Sequence, residues 1–186
     1  LDIPGEDDLS GLGVSYCATC DGAFYAGKTV AVIGGGDTAL EDALYLSHIA
    51  KQVYLVHRRD TFRANASLQA AVAQAENITP VLCAVPTEVV GEKRVEALKL
   101  LRNEKEETLV LDGIFAAIGS IPNTDLLKGL ADLDASGYVI AGEDGLTSRP
   151  GLFAAGDVRT KPLRQVVTAV ADLSLIHISE PTRHSL

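Results

Sequence analysis

The stretch KTVAVIGGGDTA, Lys28–Ala39, decides the fold. Lys28 to Ile33 is a short apolar run rich in β-branched residues, which predicts a buried strand. Gly34-Gly35-Gly36 ends it. From Asp37 to Ile49 the apolar positions Ala39, Leu40, Ala43, Leu44 and Leu46 fall at helical spacing. The pattern Gly34-x-Gly36-x-x-Ala39 therefore joins a strand to a helix. In that setting the first glycine permits a tight turn, the second lets a pyrophosphate approach the backbone, and the small Ala39 lets helix and strand pack closely. The helix N-terminus adds free N–H groups and partial positive charge for an anion. A glycine-rich turn alone is a weak signal; its strand-turn-helix context points to a dinucleotide.

Working outward, Gln52 to His57 predicts a second strand, Asn65 to Glu76 an alanine-rich helix, and Thr79 to Ala84 a third strand. This alternation predicts an α/β, Rossmann-like domain with a parallel sheet and right-handed crossovers. Thr87 to Val90, Val95 to Leu101 and Thr108 to Leu111 then predict an antiparallel β-meander, with residues 103–107 a solvated turn. Ile114 to Ile118 returns to a buried strand, and Pro122-Asn123 marks a linker. Short strands are expected at Tyr138 to Ala141 and Leu152 to Ala155. The polar, acidic stretch Leu1 to Leu12 predicts a linker, and Asp21-Gly22 a turn.

Across 186 residues, 47% are apolar and 22% charged, which is globular composition and excludes disorder. The net charge of −9 argues against nucleic acid as a partner. No apolar run approaches the roughly 18 residues that cross a bilayer. The chain contains no methionine, a first sign of a fragment.

Two further constellations carry chemistry. About 20 residues past the glycines, an NAD site places an acidic group on the ribose. Here that place holds His57-Arg58-Arg59, with Arg63 four positions beyond Arg59. Guanidinium groups are permanently charged, bidentate donors suited to a 2′-phosphate, so NADP(H) is expected rather than NAD. His57 either assists the phosphate or packs at the strand end. The other constellation is Cys17-Ala18-Thr19-Cys20-Asp21. Two thiols at this spacing suit thiol–disulfide exchange, and the alternatives are a zinc half-site or inert cysteines. Zinc needs further ligands; the third cysteine, Cys83, lies alone in a predicted strand as a buried apolar residue, and no metal is expected. Asp21 is a candidate proton donor and acceptor, or a turn residue. A nicotinamide site and a dithiol in one chain need a two-electron relay, for which flavin is the usual group.

At this point the sequence resembles the bacterial-type, low-molecular-weight thioredoxin reductases. The matching stretches are Gly13–Gly22, Val32–Ala39, His57-Arg58-Arg59-x-x-Phe62-Arg63, Ala117-Ile118-Gly119-x-x-Pro122-Asn123 and Ala154–Val158. The resemblance implies a cytoplasmic homodimer in which NADPH reduces FAD, FAD reduces the Cys17–Cys20 disulfide, and the dithiol reduces thioredoxin. It implies Cys17, Cys20 and Asp21 as catalytic residues, and Gly34, Gly36, Asp37, Thr38 and Ala39 around the pyrophosphate. Arg58, Arg59 and Arg63, with His57, would sit on the 2′-phosphate side, and Ile118 and Gly119 on the nicotinamide side. Gly156, Asp157, Val158, Arg164, Gln165 and Val166 would contact FAD.

The implied organisation is a hinge at 1–12, an NADP(H)-binding domain with the CxxC motif at 13–121, and a C-terminal part of an FAD domain at 122–172, without that domain's N-terminal half. A second hinge lies around Pro122. The stretch 173–186, with His177 and His184, departs from the family pattern and is expected to be a non-native tail without function. Such a chain would be poorly packed in its FAD part and inactive alone. The alternatives are another flavin disulfide reductase, such as the flavoprotein component of an alkyl hydroperoxide reductase, whose CxxC usually differs between the cysteines, or a non-catalytic NADP(H)-binding module.

Overall fold

The computed structural model describes residues 1–179, with side chains through 175. It divides into two units, 1–119 and 120 onward. The first unit is built on five strands: β1 (Val14–Ser15), β2 (Thr29–Ile33), β3 (Gln52–Val56), β4 (Ile78–Val81) and β8 (Gly113–Ala116). They form a wholly parallel sheet of order β1-β8-β2-β3-β4. Helix α2 (Asp37–Ser47) connects β2 to β3, and α3 (Ala66–Gln74) connects β3 to β4. A three-stranded antiparallel meander, β5 (Ala84–Val90), β6 (Ala97–Arg102) and β7 (Lys105–Val110), precedes β8.

The apolar run of β2 is explained by burial on both faces. Val30 and Val32 join Leu40, Ala43, Leu46, Leu55 and Phe115 on the helix side. Ala31 and Ile33 point the other way, to Leu98, Leu100, Val89 and Leu111 of the meander region. Period-two alternation thus feeds two cores, and from Val30 to Ile33 no position of the strand is left for a polar residue.

Several expectations need correction. The third strand ends at Val81, and Cys83 is not in a strand. It sits half-buried between β4 and β5 at φ +54°, because its N–H turns to the carbonyl of Arg59. The turn expected over residues 103–107 is only Asn103-Glu104, both at positive φ, a two-residue hairpin from which β7 starts at once. Asp21-Gly22 is not a simple turn: a one-turn helix α1 (Ala18–Asp21) runs into a 3-10 turn at Gly22–Tyr25. Residues 1–12, expected as a linker, form successive turns; Leu9 is buried and the Pro4 carbonyl accepts from the Val89 N–H.

In the second unit the strands expected at Tyr138 to Ala141 and Leu152 to Ala155 are single bridges, Leu133–Val139, Val139–Arg159 and Leu146–Phe153. Its apolar core is small, with Val139, Ala141 and Ala154 buried. Helix α4 (Val166–Ser179) closes the described chain and carries exposed Val166, Val167 and Val170. The His177 side chain and residues 180–186, including His184, lie outside the described residues.

Candidate active site

The glycine turn is seated by hydrogen bonds from both neighbouring strands. The Gly34 N–H donates to the Val56 carbonyl at 3.0 Å, and the Ala117 N–H donates to the Ile33 carbonyl at 2.8 Å. A Cβ at Gly34 would collide with the Ala117 carbonyl and the Ala39 methyl, so this position is closed to side chains. Gly36, the N-cap of α2, faces open space. Ala39 is fully buried and forms the close strand–helix contact expected of it.

Above this turn lies a cavity of about 490 Å³. Gly34, Gly36, Thr38, His57, Arg58, Arg63, Ile118 and Gly119 all contribute to its wall, with Ala84, Val85 and Pro86 of β5 opposite. The structure therefore gathers most of the residues expected around a dinucleotide. Two are turned elsewhere. Asp37 accepts from the N–H and side-chain amide of Asn65, at 2.8 and 3.3 Å, and so ties the start of α2 to the start of α3. Arg59 is exposed and does not line the cavity; its carbonyl holds Cys83.

His57 is buried, its Nε2 has no hydrogen-bond partner, and its ring packs 5.6 Å from that of Phe62. Burial lowers its pKa, and the nearby guanidinium groups of Arg63, Arg59 and Arg58 lower it further. The meander wall and Gly35 escaped the sequence reading, because their part in the cavity depends on chain segments brought together only by the fold.

Cys17 and Cys20 are joined by a disulfide. Cys17 is the N-cap of α1, and its sulfur accepts the Cys20 N–H at 3.2 Å. Ala18 anchors this turn in the helix-side core, while Cys20 is exposed and Cys17 half-buried. Asp21 accepts from the Ser15 hydroxyl at 2.7 Å, and the same hydroxyl accepts the Cys17 N–H at 3.1 Å. Ser15 thus fixes the carboxylate beside the pair, a role invisible in the CxxC spacing. Burial and then Asp21 raise the pKa of Tyr25. Two aromatic side chains, Tyr16 and Phe24, stand exposed on either side of the disulfide in sequence. An accessible disulfide with a carboxylate beside it can be attacked by an external thiolate, and its leaving thiolate can take up a proton. Among the described residues no cluster of three His, Cys, Asp or Glu could hold a metal ion.

In the second unit, Gly156 is at φ +82° and its N–H donates to Asp172 at 2.7 Å. The Asp157 side chain is exposed and the Val158 carbonyl accepts from Val139. Arg164 stacks 4.0 Å over the Tyr138 ring, Gln165 caps the start of α4 through Thr168, and Val166 opens that helix. Sequence reasoning missed the group beneath them. Arg159 and Lys161 both reach Asp172, at 2.7 and 2.8 Å, with side chains only 2–5% exposed.

The parallel sheet, glycine turn and CxxC disulfide match a known family. The model of the pyridine nucleotide-disulphide oxidoreductases covers residues 1–172. The chain belongs to that family. Within this oxidoreductase family it is 42% identical, over 92% of its length, to thioredoxin reductase of Listeria innocua, of which it spans 55%. It is 46% identical, over 91% of its length, to thioredoxin reductase of Coxiella burnetii, of which it spans 56%. The crystal structure of thioredoxin reductase from Streptococcus pyogenes superposes with a TM-score of 0.87 at 38% identity, covering 97% of this chain and 61% of that one. The chain thus spans about half the length of the thioredoxin reductases it matches.

Proposed function

We propose that the chain carries the NADPH-binding and disulfide-bearing parts of a thioredoxin reductase, a cytoplasmic homodimer that passes electrons from NADPH through FAD to Cys17–Cys20 and on to thioredoxin. The observation that carries this is an exposed disulfide, with Asp21 beside it, in the same unit as a glycine-turn cavity walled by two arginines. Arg58 and Arg63 supply the fixed positive charge that a 2′-phosphate needs, and no acidic side chain lines that wall. Ile118 and Gly119 are the wall on the nicotinamide side. Ala18-Thr19 between the cysteines favours thioredoxin over a peroxide-reductase partner.

The second unit offers polar groups toward flavin: the free Asp157 carboxylate and Gln165 amide, next to a turn held rigidly by Asp172. FAD, when bound, supplies the two-electron step between nicotinamide and disulfide. The chain's own residues do the rest. The sulfurs of Cys17 and Cys20 exchange with the partner disulfide, and Asp21 holds or returns the proton.

Exchange with thioredoxin runs in either direction and does not require flavin. Oxidised chain mixed with reduced thioredoxin should therefore become a dithiol while thioredoxin becomes a disulfide. The chain's thiol count would rise from one, Cys83, to three. A count that stays at one with thioredoxin but rises with a small dithiol reductant overturns the assignment of partner.

A further inference from the structure

The middle position of Gly34-x-Gly36 is formally free, yet here it is Gly35. No backbone constraint demands a glycine there, since Gly35 is not among the residues at positive φ. The obstacle is a side chain 22 positions away: a Cβ on Gly35 would run into Cε1, Nδ1 and Cγ of His57. The contact is locked from both sides. The Arg63 N–H donates to the Gly35 carbonyl at 2.7 Å, closing the arginine loop onto the glycine turn. His57 itself is pinned, its N–H to the Val81 carbonyl and its carbonyl to the Ala84 N–H, both at 3.0 Å. Phe62 covers the far side of the ring. The imidazole is thus a wedge between the turn and the loop that carries Arg58 and Arg63.

An apolar side chain could fill that space without leaving a buried nitrogen unpaired, which is costly. That the space is filled instead by the edge of a ring whose Nε2 is buried without a partner points to a role in the site rather than in the core.

We propose that Gly35 and His57 form one positioning device, which sets the distance between the pyrophosphate turn and the 2′-phosphate arginines and thereby the preference for a 2′-phosphorylated dinucleotide. This rests on the NADP(H) reading above. His57 acts through Arg58 and Arg63, and Gly35 acts through His57. The device makes cofactor choice depend on a residue of the glycine turn, although that turn touches only the part common to both dinucleotides.

The test compares binding of 2′,5′-ADP and 5′-ADP to the whole chain by calorimetry. Wild-type chain should favour 2′,5′-ADP; equal affinities would overturn the NADP(H) reading itself, whatever the variants do. Given that preference, His57→Ala should lower the ratio of the two affinities about fivefold or more, because the arginine loop loses its stop. Gly35→Ala should lower the ratio about tenfold or more by pushing the ring outward. The double variant should return to the level of His57→Ala alone, since the added methyl then meets no ring. Ratios that stay within about twofold of wild type in His57→Ala, or losses that simply add in the double variant, overturn the proposal. A purely structural role for the pair would lower thermal stability and leave the ratio unmoved. His57→Ala decides the matter even where Gly35→Ala does not fold.

Discussion

The second unit should depend on one carboxylate more than on its apolar core. Asp172 accepts four hydrogen bonds, from the Gly156 N–H at 2.7 Å, Arg159 Nε at 3.0 Å, Arg159 Nη2 at 2.7 Å and Lys161 Nζ at 2.8 Å. Bonds from Arg159 hold its pKa well below the usual carboxylate range, against the opposing effect of burial. In Asp172→Asn the amide oxygen still accepts from Gly156, but two buried cations lose their full counter-charge. Among the described residues the other anion in reach is Glu143, which is largely exposed and 3.3 Å from Arg159. Stranding buried charge typically costs about 3–5 kcal/mol. The buried residues of its apolar cluster, Val139, Ala141 and Ala154, offer at most about 1.5–3 kcal/mol each, so the loss outweighs any one of them. Unfolding of a two-unit chain is not a single transition, so the readout should be local: hydrogen exchange of the Gly156 amide. Its protection should fall by roughly 10²–10³-fold at pH 7. Because the Asp172 pKa is depressed on folding, its contribution is full above the unfolded value of about 3.9 and is lost progressively as pH falls from there towards the depressed folded value, so the gap between wild type and variant should narrow steadily over that acidic range. Adding Arg159→Met and Lys161→Met to Asp172→Asn should restore protection at pH 7. A single variant that retains wild-type protection at pH 7, or a triple variant no better than the single, refutes the argument.

Other outcomes follow from the first unit. Arg58→Ala and Arg63→Ala should each weaken 2′,5′-ADP about tenfold or more while sparing 5′-ADP, whereas Arg59→Ala, whose side chain is off the cavity wall, should do much less; equal losses at all three would show that charge alone, not placement, recruits the phosphate. Burial raises the Asp42 pKa to about 6, so ionised Asp42 opposes folding at pH 7. Asp42→Asn should stabilise the unit by up to about 3 kcal/mol at pH 7 in chemical denaturation, an advantage that shrinks as pH falls from 6 to 4, where the native acid is already neutral. Leu98→Ala, in the core between sheet and meander, should cost about 2–5 kcal/mol in the same assay; a loss under 1 kcal/mol would mean the meander is not integral to the unit.

What could be read from the sequence follows from how local each signal is. The strand β2, the glycine turn and α2 are written in about twenty contiguous residues, because burial on both sheet faces forces an unbroken apolar run and the turn forces glycine at its end. The meander showed itself through charged turns, although the true hairpin is only two residues long. The second unit gave no such pattern. Its bridges are single pairs, too short for alternation to register, and what holds it is Arg159 to Asp172 across 13 positions. Helix α4 was hidden for a different reason: its first turns are rich in valine, which reads as strand, and Val166, Val167, Val170, Leu173 and Leu175 are exposed, so no buried stripe marks these turns.

The site divides along the same line. Residue types were legible and their directions were not. Three arginines within six positions announce a phosphate, but only the geometry of the strand end decides that Arg58 and Arg63 line the cavity while Arg59, exposed like them, does not. Asp37 sits at the start of α2, where an anion would compete with a pyrophosphate for the helix terminus. Its carboxylate is instead taken up by Asn65, 28 residues away, which keeps the terminus available. Gly35 follows the same logic. A free position in a short motif is free only with respect to the motif's own neighbours, and here the constraint comes from His57, just past the end of the next strand. Sequence motifs record the contacts between turn and ligand; the contacts between one recognition element and another, on which discrimination between two nearly identical dinucleotides depends, are recorded in residues that such motifs leave blank.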